Sequence, residues 1–270
     1  MTGRHFVRKS LAAVFVLSSA AGCNHESSAT NFSSVPEKFE SSAETAATKK
    51  QAAILAEVAK LGDHEWAGEY YAGDGLGVNV SLTIAPKSGY MFEWHGCLGT
   101  YDRNYGAVTT SNGQLHLAFT FENKREGFRG IAPDFVPISW GQRRYLVPAD
   151  DVVGFCNNVN EGREPRTGVH GFYLLRRGDE TKDVTGLPSV PAKYRPYLLE
   201  KSIEATIIAV GAFTIRPSRG DWKFKDAPVP LDAGSSQGLR SGMELAVTEP
   251  AHTVQRVRIT KVDVDRSEGR

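Results

Sequence analysis

The chain has 270 residues, 40% of them hydrophobic and 10% aromatic, with 27 glycines, 3 cysteines and a formal net charge of +1. That length suffices for two modest domains. The near balance of 32 Lys+Arg against 31 Asp+Glu excludes the strong basic field that a nucleic-acid partner requires.

The first residues read as a targeting segment. Arg4, Arg8 and Lys9 form a positive leader, Leu11 to Leu17 an apolar stretch, and Ser18 to Gly22 are all small. The apolar stretch is far shorter than the roughly 20 residues needed to span a bilayer, so a cleaved signal over 1–22 is expected. Ser19-Ala20-Ala21-Gly22-Cys23 resembles the lipobox of bacterial lipoproteins, with Ala20 where Leu is commonest. The resemblance implies cleavage before Cys23, acylation of its thiol and amine, and a membrane partner held through that lipid anchor. Each buried methylene contributes about 0.8 kcal/mol, so two or three acyl chains hold firmly. Asn24 in place of Asp implies, by the same resemblance, the outer membrane of a cell envelope, facing the periplasm. Residues 1–22 carry three basic residues and no acid, so the remaining chain has 29 Lys+Arg against 31 Asp+Glu, a net charge of −2.

With Cys23 lipidated, Cys97 and Cys156 remain in an oxidising compartment, and an even pair there is expected to form a disulfide. Its loop of about 60 residues would contribute roughly 4 kcal/mol by chain entropy. The competing reading is a nucleophilic Cys97 activated by His95 within Glu93-Trp94-His95-Gly96-Cys97, since residues two apart on a strand share a face. There is no Cys-x-x-Cys and no pair of histidines at ligand spacing, so the sequence points to no zinc. It points to no cofactor either.

Residues 23–40 are poor in apolar groups and read as a lipidated, disordered tether, with a reach of roughly 20–25 Å. Ser41-Ser42-Ala43-Glu44 fits a capping box, and Ala43, Ala47, Ile54, Val58 and Leu61 recur at the helical period. A helix is predicted within 41–62, ending at Gly62.

Over 63–178 the period becomes two. Val78, Val80, Leu82 and Ile84 alternate with polar residues, as do Leu115, Leu117, Phe119 and Phe121. Further strands are predicted at 69–71, 90–95, 107–110, 138–147, 152–156 and 170–176. Ser111-Asn112-Gly113 marks a hairpin. Short strands joined by tight turns predict an antiparallel meander closed into a barrel. Trp66-x-Gly68-x-Tyr70 followed by hairpins resembles the small calycin-like barrels. Residues 179–201 form a linker punctuated by Pro188, Pro191 and Pro196.

Residues 202–270 read as a small β module, with strands at Ile203–Val210 and Val254–Val264. The stretch Val229 to Val247, with Gly234, Gly238 and Gly242 at its reversals, resembles small β-barrels of bacterial envelope proteins. A closed barrel there would need at least one more strand than the chain supplies. The predicted fold class is therefore mainly β: an N-terminal helix, an antiparallel β-barrel or meander, and a second small barrel-like module.

Trp94, His95, Tyr101, Arg103, Asn104 and Tyr105 cluster beside Cys97 in a stretch read as a loop, and form the candidate pocket. Trp140-Gly-Gln-Arg-Arg-Tyr145 is a second such cluster. Tyr71-Ala-Gly-Asp-Gly-Leu-Gly77 is read as a connecting turn, because a phosphate loop requires a helix after it. No Gly-x-Ser-x-Gly is present. Three function classes follow. The first is a non-catalytic binding module for a small ligand or an envelope protein. The second is a periplasmic thiol enzyme or hydrolase built on His95 and Cys97. The third is an assembly factor for an envelope complex. The first accounts best for the lipobox, the expected disulfide pair and the missing catalytic motifs.

Overall fold

The computed structural model describes residues 37–73, 75, 78–97, 99–122, 124–125, 128–163, 165, 173–217, 223–248 and 256–270. The targeting segment, Cys23 and the tether as far as residue 36 lie outside the described residues. Helix α1 (Glu37–Leu61) begins inside the stretch read as tether, so the Ser41 capping box falls within the helix rather than at its start. Gly62 follows it with φ 61° and donates to Val58 O, as a left-handed cap should.

A closed barrel of eight antiparallel strands comes next. It comprises β1 (Gly68–Gly73), β2 (Val78–Ala85), β3 (Gly89–Gly96), β4 (Gly99–Ser111), β5 (Gln114–Phe119), β8 (Asp134–Trp140), β9 (Arg143–Pro148) and β10 (Leu174–Arg176). The two short strands β6 (Lys124–Arg125) and β7 (Phe128–Arg129) pair only with each other. The barrel order is β1-β10-β9-β8-β5-β4-β3-β2, with β1 closing onto both β2 and β10. This up-and-down order is consistent with a calycin-like barrel. Asn112 and Gly113 both take positive φ, 51° and 73°, in the two-residue turn that Asn-Gly favours.

Alternation places Val80, Leu82, Ile84, Phe92, Leu115 and Leu117 inside the barrel with Tyr70, Tyr90, Phe135, Leu146 and Leu174. Two outer layers cover parts of its outside. Ala47, Ile54 and Val58 of α1 pack on Ala85 of β2 and on Met91 and Tyr105 of β3 and β4. Both Glu57 carboxylate oxygens accept backbone N–H groups of the β2–β3 turn, from Lys87 at 2.9 Å and Ser88 at 2.6 Å. On the other side, helix α2 (Val152–Asn160) packs Val152, Phe155, Cys156 and Val159 against Val136, Ile138, Tyr145 and Val147. A strand was expected at 152–156. Apolar residues at 152, 155, 156 and 159 follow the i, i+3, i+4, i+7 spacing of a helix face instead. The single strand expected at 138–147 is two strands, because Gly141 (φ 57°) turns the chain between β8 and β9.

The motif Trp66-x-Gly68-x-Tyr70 closes one end of the barrel. Trp66 is buried, and Tyr70 donates its hydroxyl to Trp66 O at 2.9 Å. His64 Nδ1 accepts the N–H groups of Trp66 and Ala67. Arg144 and Arg176 both donate to His64 O, and Arg144 also forms a two-pronged pair with Asp63. That guanidinium holds the Asp63 carboxyl below the usual carboxylate range. A Cβ at Gly68 would lie 2.9 Å from Arg176 Nε, so the glycine makes room for the arginine.

Residues 179–201 run along the β8–β9 side, with a 3₁₀ helix at Ala192–Tyr197. The C-terminal region contains β11 (Thr214–Pro217) paired with β12 (Lys223–Asp226). It also holds β13 (Val229–Leu231), β14 (Glu244–Ala246), β15 (Arg256–Val262) and β16 (Ser267–Gly269). The last four form an open sheet in the order β13-β16-β15-β14. The expected second barrel-like module is thus a correction: β13 and β14 do not pair with each other, and the outer side of β13 carries only a bridge from Ile207 to Leu231. Of the three glycines read as reversals, Gly238 and Gly242 take positive φ, 97° and 92°, while Gly234 is extended with φ −140°. Reversals alone, however, do not specify closure.

Candidate functional site

The candidate pocket residues lie on β3 and β4: Trp94, His95, Tyr101 and Arg103 toward the end away from the β2–β3 turn, Asn104 and Tyr105 opposite Phe92 and Met91 nearer to it. A β-bulge shapes this rim. Trp94 pairs with Asp102, but His95 pairs with Thr100, so Tyr101 is the extra residue. Its ring meets Trp94 edge-on, centroids 6.0 Å apart at 87°. It also lies across Gly96, where a Cβ would be 1.9 Å from Tyr101 Cε2. Only glycine at 96 permits that approach. Asp102 beside them is buried, and its Oδ1 accepts the Arg103 N–H at 2.9 Å.

Strand alternation sends the neighbours to the outer face. Arg103 Nε donates to Glu93 Oε1 at 2.8 Å. His95 Nε2 lies 3.3 Å from Glu93 Oε2, and His95 Nδ1 lies 3.2 Å from Thr100 Oγ1. The result is a polar chain, Thr100–His95–Glu93–Arg103, across two strands.

The six candidate residues therefore do not share one pocket. Trp94 and Tyr101 meet on the inner side of the rim; His95 and Arg103 meet through Glu93 on the outer side. Asn104 is almost fully buried, and its Oδ1 accepts the N–H groups of Tyr105, Thr120 and Phe121 while its Nδ2 donates to Phe121 O. It ties β4 to the end of β5. Tyr105 packs with the α1 layer and stands edge-on to Phe121, centroids 5.3 Å apart. Glu93, Thr100 and Asp102 were missed as site residues. Reading 101–105 as a loop hid their alternation; carrying the strand back from Ala107 would have exposed it.

The Trp140–Tyr145 cluster has a structural occupation. Trp140 Nε1 donates to Gly186 O, Arg143 donates to Lys182 O, and Arg144 is held at the closed end by Asp63.

The expected Cys97–Cys156 disulfide is a second correction: no disulfide joins the two. Cys97 is exposed in the turn after β3. Cys156 is buried in α2 on the outside of β8 and β9, with β4 and β5 between those strands and β3. Burial pushes the Cys156 thiol up to about 12. Counting cysteines supplied an even pair; strand order and the helical state of 152–160 set them apart. Among the described residues, no three His, Cys, Asp or Glu side chains cluster so as to hold a metal ion.

The inside of the barrel sets what the site can do. Val80, Leu82, Ile84, Phe92, Phe135, Leu146 and Leu174 have 0% exposure. A void wide enough for one water would expose the atoms around it. Eight strands enclose a space that side chains can just fill, and here they fill it at these positions. No protein-family model, curated protein or solved structure matches this chain.

Proposed function

We propose that this chain is a non-catalytic binding module of a cell envelope, held to the outer membrane by acylated Cys23 and facing the periplasm. In this reading the barrel is a rigid platform whose β3–β4 rim engages an envelope protein. The observation that carries it is the filled interior, which favours a surface partner over a ligand enclosed in the barrel. The rim combines the Trp94–Tyr101 aromatic pair with a polar chain, the mixture that protein recognition sites favour.

A photo-crosslinking residue tests the platform in cells. Placed at exposed Cys97 it should give discrete adducts, and placed at exposed Gln142 beyond the closed end it should give none. Equal patterns from both positions would remove the rim from the reading. The anchor is tested separately, because Cys23→Ser should release the protein from membranes into the soluble fraction.

A second reading is favoured by one observation. Thr100, His95 and Glu93 are ordered as hydroxyl, imidazole and carboxylate at hydrogen-bonding distances, the arrangement of an activated nucleophile. If the rim hydrolyses esters, p-nitrophenyl acetate turnover should fall in Thr100→Ala and recover in Thr100→Ser. Turnover identical to His95→Gln in every variant would exclude that role.

A further inference from the structure

Helix α2 begins at an aspartate whose carboxylate does not cap it. Asp151 holds the N-cap position, where aspartate ordinarily accepts an N–H group of the first turn, yet it makes no side-chain cap hydrogen bond. Its carboxylate lies over Gly154 instead. A Cβ at Gly154 would collide with Asp151 Oδ1 and stand 2.7 Å from the Tyr173 hydroxyl. Glycine at 154 therefore makes the space in which carboxylate and phenol meet. Tyr173 hydrogen-bonds to Asp151, which is half-buried.

The C-terminal sheet meets the same helix. A Cβ at Gly242, just before β14, would lie 3.3 Å from Val153 Cγ1, and Asn157 bonds to Gly242 O and Glu244 N. Charges line this joint. Arg256 of β15 pairs with Glu161 at 3.3 Å, Arg163 pairs with the same carboxylate, and Arg258 of β15 pairs with Glu244 of β14 at 3.1 Å. Asp151 stands outside these pairs: among the described residues, no ion pair reaches it. Its chain neighbour Asp150 and Glu244 of β14 oppose its charge, and Arg258 of β15 favours it. Tyr173, from the segment before β10, donates to it. Tyr194, from the 3₁₀ helix packed on the same side, spends its hydroxyl on Ala149 O.

We propose that Asp151 is an acid-sensitive latch between the barrel and the C-terminal sheet. Ionised, its carboxylate is half-buried without a cationic partner of its own, on the same side of the joint as Glu244, and opposes the seating of β14 on α2. Protonated, it loses that repulsion and the cost of burying a charge, and the joint tightens. The sign follows from burial, which raises the Asp151 pKa above the usual aspartate range. The latch therefore closes on mild acidification, before ordinary aspartates are protonated. How firmly the sheet is held thus follows the pH of the surroundings. Neither the Cys23 anchor nor the β3–β4 rim enters this argument.

The test is hydrogen exchange on the chain from residue 23 onward, carrying Cys23→Ser. Rates are compared at neutral pH and at about pH 5, where an ordinary aspartate is still ionised. Each rate is divided by the intrinsic exchange rate of its peptide at that pH. Peptides covering β13 to β16 should gain protection by about fivefold at the lower pH, the lower end of couplings between sites. Peptides from β2, β3 and β8 should not share the gain. Asp151→Asn should show the tightened sheet already at neutral pH, with no further gain in acid. Asp151→Ser also removes the charge and should behave alike, which guards against a defect peculiar to one substitution. Glu244→Gln removes an opposing charge and leaves Arg258 to Asp151, so its gain should move to lower pH. Circular dichroism confirms folding of each variant. An equal gain in the barrel peptides would overturn the latch. So would a gain that survives both Asp151 substitutions, or no gain in the chain that keeps Asp151.

Discussion

At the residue scale, the side chains that matter most are buried polar groups whose partners are backbone. Asn104 is the clearest. It supplements the backbone bond from Thr120 N to Tyr105 O where β5 leaves β4, and its Oδ1 receives three N–H groups. Asn104→Ala would leave the Tyr105 and Phe121 N–H groups without that acceptor, while Thr120 N–H keeps Tyr105 O, at a cost of about 1–3 kcal/mol. Asn104→Asp keeps the acceptor and should cost less. Urea unfolding followed by tryptophan fluorescence measures both, and equal losses would show that the side chain fills space rather than accepts bonds. The cysteines give a chemical test of their placement. Cys97 is exposed, while the Cys156 thiol is buried and pushed up to about 12, which keeps it neutral and unreactive at neutral pH. In protein carrying Cys23→Ser, a disulfide-exchange reagent should therefore label Cys97 in the native state and Cys156 only after denaturation. Rapid labelling of both would contradict the packing of α2.

At the scale of elements, α2 shows how a local signal loses to a neighbouring one. Its apolar residues lie close together in sequence and read as a short strand; their spacing fits a helix face once the segment extends to Val159. The alternating strands β2 and β5 were legible because polar residues alternate with the apolar inner ones, even where α1 also covers Ala85 on the outer face of β2. The first half of β4 was not, because polar Asp102 and Asn104 point inward there and invert the usual pattern. The candidate site suffered for the same reason. Trp94 and Tyr101 are neighbours because of a bulge that nothing in the spacing announces. Trp66, Gly68 and Tyr70, by contrast, were legible as a motif, and each has a physical task at the closed end.

The start of α2 also carries a pH prediction. Burial raises the Asp151 pKa, a nearby Asp150 adds to the rise, and a hydrogen bond from Tyr173 opposes it. A carboxyl whose folded pKa lies above its unfolded value costs stability when ionised. That cost is present at neutral pH and vanishes as the pH falls through the raised value. Asp151→Asn should therefore raise the melting temperature at neutral pH, and the gain should shrink on mild acidification. A gain that grows toward acid would reverse the sign and refute the burial argument.

At the scale of the whole molecule, the barrel and the C-terminal sheet are joined through α2. Asn157 donates to Gly242 O at 3.0 Å and accepts from Glu244 N at 3.2 Å, bridging the helix to the start of β14. Asn160 makes the matching pair of bonds to Tyr197 O and Leu199 N, and Tyr197 packs on both apolar clusters. An open sheet of short strands has little independent stability, so these bonds make its folding depend on the barrel. Replacing Asn157 and Asn160 together by leucine would remove both bridges and leave the backbone groups at Gly242, Glu244, Tyr197 and Leu199 to find water. The expected outcome is selective. Hydrogen exchange should accelerate in peptides covering β13 to β16 while peptides from β2, β3 and β8 keep their protection, because the barrel core contains none of the lost bonds. Exchange that rises equally in both regions would mean one cooperative unit, with the asparagines serving the barrel itself.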